Sequence, residues 1–131
     1  MREAQVLHYT ALPVVDWGHG VSANKLVDSE LGATGLTSGI TSFEPGSALP
    51  LHSHNCDEQV SVIEGHATAE VAGKEFPLEP FDTTFVPMGV PHRYRNSGAT
   101  MMRILWSYPS SHVTRTLTAT GQTIDDLTPP H

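Results

Sequence analysis

Gly46-Ser47-Ala48-Leu49-Pro50-Leu51-His52-Ser53-His54-Asn55-Cys56-Asp57-Glu58-Gln59-Val60-Ser61-Val62-Ile63-Glu64-Gly65 is the stretch on which the reading of this chain turns. His52 and His54 are two residues apart, so on a strand they share a face at about 6.5–7 Å spacing. Imidazoles leaning inward from such positions reach one ion at about 2.0–2.1 Å. Glu58 opens the alternating run that follows, where its carboxylate can return to the same point from an adjacent strand. Each piece has an ordinary alternative. A lone His-x-His pair serves equally as two hydrogen-bonded residues, and a glutamate ahead of an apolar strand is commonly a solvated cap.

Outward from this stretch, the chain reads as all-β. Apolar or alternating runs cover Val21 to Val27, Leu36 to Phe43, Gln59 to Glu64, Ala67 to Val71, Thr83 to Val86, Arg93 to Asn96 and Thr100 to Tyr108. Turn residues separate them: Glu44-Pro45-Gly46, Glu64-Gly65, Ala72-Gly73-Lys74, Pro87-Met88-Gly89 and Asn96-Ser97-Gly98. No long stretch carries the spacing of an amphipathic helix. Many short, evenly spaced strands predict a sandwich or barrel. Two hairpins are expected. One joins Gln59–Glu64 to Ala67–Val71 through Gly65-His66. The other turns at Gly73-Lys74 into a strand that Pro77 and Pro80 keep short or at an edge. The tail from about Thr118 is polar, and its last residues are expected to be loose.

The composition narrows the function. The 131 residues suit one domain spanning 1–131, long enough to bury a core without disulfides or a structural metal. The net charge of −7 and the scattered seven Lys and Arg leave no counterion-release drive for nucleic acid and no attraction to an anionic membrane. The single cysteine, Cys56, rules out an internal disulfide and fits a reducing compartment. With no signal-peptide core and no long apolar run, the expected location is the cytoplasm. Eight histidines against seven Lys plus Arg is the outlying feature.

His92 completes the candidate set. It follows Pro87-Met88-Gly89-Val90-Pro91, a stiff turn that feeds another strand. Together the flanking residues match a known pattern. Gly46, His52, His54, Glu58 and Gly65 occupy every defined position of the first cupin motif (residues 46–65), and Pro87, Gly89, His92 and Asn96 occupy the second (81–96). Phe81 stands where that family usually has glycine, a departure at a turn rather than at a ligand. The chain therefore resembles a small single-domain cupin. The resemblance implies a double-stranded β-helix, or jelly-roll barrel, with His52, His54, Glu58 and His92 as ligands of one divalent transition-metal ion. It also implies a homodimer with crossing N-terminal strands, for which Val6 to Asp16 is the candidate arm.

Three imidazoles and a carboxylate suit iron, manganese, nickel, cobalt, copper or zinc, and the spacing does not choose among them. Four protein ligands on an octahedral ion leave two positions for a small-molecule substrate. Two readings stay open. One is a metal-dependent enzyme, dioxygenase-like or an isomerase or lyase, acting on a small oxygen-bearing metabolite. The other is a non-catalytic binding or sensor barrel. Glu58 could double as a base. Tyr94, on the face of His92, could bond a substrate or act as an acid, or simply pack with its hydroxyl at the rim. Val60 and Val62 should line the interior with Glu58, and Gln59 should point away. Trp106 and Met101-Met102 read first as core, with a pocket wall as the alternative. Arg103 could clamp a carboxylate if it faced inward, though surface exposure is the expected placement. Arg93 and Arg95 should face out. Cys56 is an ordinary loop thiol near the site or, less plausibly, a soft ligand in place of Glu58. Asn96 is expected to brace its strand end.

Overall fold

A computed structural model describes residues 3–126. Its strands are β1 (Val15–Gly18), β2 (Val21–Val27), β3 (Thr37–Phe43), β4 (His52–His54), β5 (Glu58–Glu64), β6 (Ala67–Val71), β7 (Lys74–Leu78), β8 (Thr83–Val86), β9 (His92–Asn96), β10 (Met102–Tyr108), β11 (Thr114–Leu117) and β12 (Thr123–Asp125). Two single 3-10 turns, Tyr9–Ala11 and Ser29–Leu31, are the only helical pieces among the described residues. None is long and apolar enough to cross a membrane.

The strands form two six-stranded antiparallel sheets, ordered β1-β2-β3-β10-β5-β8 and β12-β11-β4-β9-β6-β7. Facing each other, they make the jelly roll. Alternation decides what lies between them. Along β10, Met102, Ile104, Trp106 and Tyr108 point inward, while Leu105 faces out and Arg103 and Ser107 lie half-buried between them. Val60 and Val62 of β5 are wholly buried beside Glu58, with Gln59 outside, as alternation requires. Val21, Phe43, Ala67, Ala69 and Tyr94 close the same core.

One expected hairpin does not form. β5 pairs with β10 and β8, and β6 pairs with β7 and β9, so the two strands lie in different sheets. Gly65-His66 is a corner that carries the chain across the barrel. Gly65 is required there twice over. Its φ is +78°, and a Cβ would sit 2.5 Å from the Met101 carbonyl oxygen. A local turn signal says that the chain reverses, not which sheet receives it.

The other hairpin is present one residue earlier than expected. Val71 pairs with Lys74 across Ala72 and Gly73, both at positive φ, which is the twist-matched two-residue turn. Pro77 lies in β7, the edge of its sheet, where its missing N–H costs no ladder bond. Phe81 sits at φ +75° with its ring 80% exposed, and its N–H donates to the Val62 carbonyl at 2.6 Å. Phe81 thus adopts the glycine-like conformation itself, with its side chain turned largely to solvent. The polar tail also contributes structure, since β12 pairs with β11. The last residues, expected to be loose, lie outside the described range.

Asn96 is a brace. Its Nδ2 donates to the Phe43 and Thr100 carbonyls at 2.8 Å each, and its Oδ1 accepts from the Gly98 N–H. Of the strand arginines, Arg103 pairs with Glu64 at 2.7 Å and Arg93 with Glu70 at 3.1 Å. Both side chains lie at the barrel surface rather than in its interior.

Candidate metal centre

β4 and β9 meet at a single register point, His52 opposite His92. That seam is what brings residues forty positions apart in sequence to one spot. His54 projects from the same face of β4, two residues on. The three rings form a tight triangle, with centroids 4.6 Å (His52–His92), 4.9 Å (His52–His54) and 5.1 Å (His54–His92) apart. One ligand nitrogen from each lies within 4.8 Å of the others, and all three residues are buried. Glu58 enters from the opposite sheet at the head of β5. Its Oε1 is 2.8 Å from His92 Nε2 and 3.6 Å from His54 Nε2.

The tautomers follow from the partners. His52 Nδ1 lies 2.8 Å from the Pro50 carbonyl, His92 Nδ1 2.9 Å from the Val90 carbonyl, and His54 Nδ1 3.1 Å from the Thr114 carbonyl. A carbonyl only accepts, so each Nδ1 carries a proton, and each Nε2 presents a lone pair whenever its ring is neutral. This is how ligating histidines are held, with the outer N–H fixed and the inner nitrogen basic. Two further observations fit an ion. Glu58 Oε1 and His92 Nε2 are buried with no hydrogen-bonded partner, because their 2.8 Å approach lacks the alignment of a hydrogen bond. The three histidines qualify together as a group able to hold an ion, and Glu58 stands beside two of them, His92 and His54. His54 Nε2 has one competitor, the Tyr108 hydroxyl at 3.2 Å, a long bond for an O–H donor.

Electrostatics separates the rings. His52 is held well below its ordinary pKa, first by burial and then by the neighbouring His92 and His54. It is neutral at pH 7, with its lone pair available. Burial also works against a charge on His92, but contact with and attraction to Glu58, helped by the Val90 carbonyl, shift it upward. Cys56 is raised to about 11, mostly by burial and then by Glu58, Asp126 and Asp57.

Beside His52 and Glu58 lies a small recess of about 50 Å³. Both residues line it, and Trp17, Phe43, Tyr94 and Trp106 are among its largely apolar walls. Trp106 is fixed by its indole N–H to Thr41 Oγ1 at 2.8 Å. Tyr94 also lines the recess, while its hydroxyl shares a 2.7 Å hydrogen bond with Thr84 Oγ1. Four wall residues escaped the sequence reading: Trp17, Tyr108, Arg115 and Asp126. Tyr108 was recoverable, being in phase with Trp106 on β10. Burial, then Glu58 and Asp126, hold its phenol well above the usual range, so it remains protonated. Arg115 stacks over the Trp17 ring at 4.3 Å and donates to the Asp126 backbone carbonyl at 3.0 Å. Asp126 carries no local signal, since an acidic pair in a polar tail reads as solvated.

The comparisons with known proteins agree with this geometry. The cupin-domain family model matches residues 39–108, more than half of the chain. The chain belongs to the cupin family. Among individual proteins it is 32% identical over 75 residues to auxin-binding protein 1 of Arabidopsis thaliana, covering 50% of this chain and 38% of that one. It is 31% identical over 77 residues to polyketide synthase CurC of Streptomyces cyaneus, covering 58% and 50%. The chain thus spans half or less of the length of these two curated relatives. Among solved structures, the polyketide cyclase RemF of Streptomyces resistomycificus superposes with a TM-score of 0.72 at 21% identity, over 82% of this chain and 80% of that one. That likeness is one of fold.

Proposed function

We propose that this chain is a metal-dependent enzyme acting on a small oxygen-bearing molecule whose body is apolar, or on such an end of a larger molecule. The observation that carries the reading is the set of three buried histidines. Each has its Nδ1 tied to a carbonyl, Glu58 stands against His92, and His52 and Glu58 open onto a recess. His52, His54, Glu58 and His92 would hold one divalent ion, drawn from iron, manganese, nickel, cobalt, copper or zinc. When bound, that ion supplies Lewis acidity and a template for a chelating substrate, and redox chemistry if its oxidation state can change.

The chain's own groups do the rest. The aromatic walls favour a flat or apolar ligand body. Glu58 is a carboxylate placed to hold a proton, and Tyr94, its hydroxyl tied to Thr84, orients the ligand from the recess wall. Enols, β-diketones, hydroxy acids and sugar acids all offer the paired oxygens such a site would grip. Dioxygenation, or proton transfer with isomerisation or elimination, both suit the constellation. The polyketide-related name of CurC favours an enolisable carbonyl compound among these. A homodimer built through the arm Val6 to Asp16, working in the cytoplasm, completes the proposal.

Metal analysis of protein purified without added metal or chelator tests it, beside a His52→Ala, His92→Ala double variant. About one equivalent of ion is expected in the wild type and none in the variant, with turnover of a panel of enols, β-diketones and hydroxy acids lost on chelation and restored by the ion. Turnover that survives stripping of the metal, or wild-type protein that takes up no ion, overturns the reading. One equivalent of ion without turnover of any panel member points instead to a binding or sensor barrel.

A further inference from the structure

The three histidines are not held in the same way. His52 and His92 tie their Nδ1 atoms to carbonyls two residues earlier in their own strand approaches, Pro50 and Val90. Those clamps are local and form with the loop that precedes each strand. His54 has no such neighbour. Its Nδ1 is held by the Thr114 carbonyl at 3.1 Å, sixty residues away, and faces the Asp126 carboxylate, whose Oδ1 is 3.3 Å distant. Both come from the β11–β12 hairpin and the residue that follows it. These elements lie beyond residue 108, where the match to the family model ends.

The hairpin is built to deliver that carboxylate. Arg115 sits directly opposite His54 in the β11–β4 register. Its guanidinium bonds the Asp126 backbone carbonyl at 3.0 Å, and the Asp126 N–H donates to the Val113 carbonyl at 3.1 Å. Asp126 is thereby fixed through its backbone, and its buried side chain, which also meets the Tyr108 hydroxyl, faces the imidazole. Burial pushes its carboxyl up from the ordinary range, while His54 and Arg115 favour the ionised form. A carboxylate near the outer N–H of a ligating imidazole orients the ring and raises the basicity of the inner nitrogen.

Resting on the metal-site reading above, we infer that Asp126 is the positioning residue for His54, so that closing the C-terminal hairpin and completing the ligand set are one event. His54 is then the ligand through which this part of the chain controls the ion. The same carboxylate stands in the wall of the recess, so the hairpin also shapes the space above the ion.

Equilibrium titration of the metal-free full chain with Co(II) alone tests this, followed by its visible absorption. Asp126→Ala is expected to weaken Co(II) binding by about 10–100-fold. Asp126→Asn, which keeps an acceptor but not the charge, should recover part of that loss. Asp125→Ala, an exposed neighbour on β12, should bind as the wild type does. Asp126→Leu keeps the side-chain volume and covers the case in which the alanine variant does not fold. Wild-type affinity in Asp126→Ala, or in Asp126→Leu where the alanine variant does not fold, overturns the inference while leaving the metal site standing. Failure of the wild-type chain to take up Co(II) or any of the other candidate ions overturns the metal reading and this inference with it.

Discussion

His92 is the ligand at which proton and metal compete most directly. Glu58 shifts its pKa above the ordinary 6.5, whereas His52 is depressed and gives up its proton at lower pH. A ligating nitrogen must be deprotonated, so below the folded pKa of His92 each ion that binds displaces one proton there. Apparent affinity should therefore rise with pH up to the folded pKa of His92, which lies above its ordinary value, and become insensitive to His92 beyond it. Titrations of the apoprotein with Co(II) across that range would show a slope near one proton per ion. His92→Asn should bind more weakly and lose that slope. The histidine cluster was legible at this scale because His-x-His with a distant His92 is a chemical pattern as well as a spacing. The Nδ1 clamps were only half legible. Pro50 and Val90 lie two residues from their histidines, but Thr114 and Asp126 reach His54 only through the fold.

Asn96 makes a different kind of prediction, since it bonds three backbone groups and no ligand. Removing its amide leaves the Phe43 and Thr100 carbonyls without that donor, at about 1–3 kcal/mol for each buried group left unsatisfied. Asn96→Ala should lower the denaturant midpoint by an amount corresponding to roughly 2–4 kcal/mol. Its metal stoichiometry should be that of the wild type. Loss of the ion with unchanged stability would assign Asn96 to the site instead.

At the scale of elements, the strands of the alternating runs were readable and their partners were not. Val21–Val27, Ala67–Val71 and Thr83–Val86 have the bounds expected from alternation between turn residues. The error at Gly65 shows the limit. Hydrophobic alternation reports which face of a strand is buried, and a glycine reports a turn. Neither reports that β5 and β6 each already have two other neighbours. Because the corner brings Gly65 against the Met101 backbone at positive φ, Gly65→Ala should destabilise the chain by more than about 1 kcal/mol, the scale of a Gly-to-Ala change where the conformation is incompatible. Gly73→Ala, at a similar φ but with open space around it, should cost less. Urea unfolding of the two variants side by side separates backbone strain, which both suffer, from steric contact, which only Gly65 suffers.

For the molecule as a whole, the two sheets end in four edges, and β1 is one of them. Edge strands expose unpaired backbone groups and are commonly covered by another chain or element. The segment leading into β1 carries exposed apolar side chains, with Val6 82% and Val14 65% accessible. Solvent is an expensive setting for them, at about 1.5–3 kcal/mol per side chain left unburied. If this arm crosses to the neighbouring copy in the proposed homodimer, Val6 and Val14 are covered there, and a charge at either position is left desolvated against the partner. A Val6→Asp, Val14→Asp double variant should then run as a monomer in sedimentation at micromolar concentration, while the wild type runs as a dimer. The histidine cluster lies within the barrel of a single chain, on β4 and β9, so the monomeric variant should still take up one ion. A wild-type chain that sediments as a monomer removes the crossing arm, whereas a monomeric variant that loses its ion would mean that the arm supports the barrel from outside.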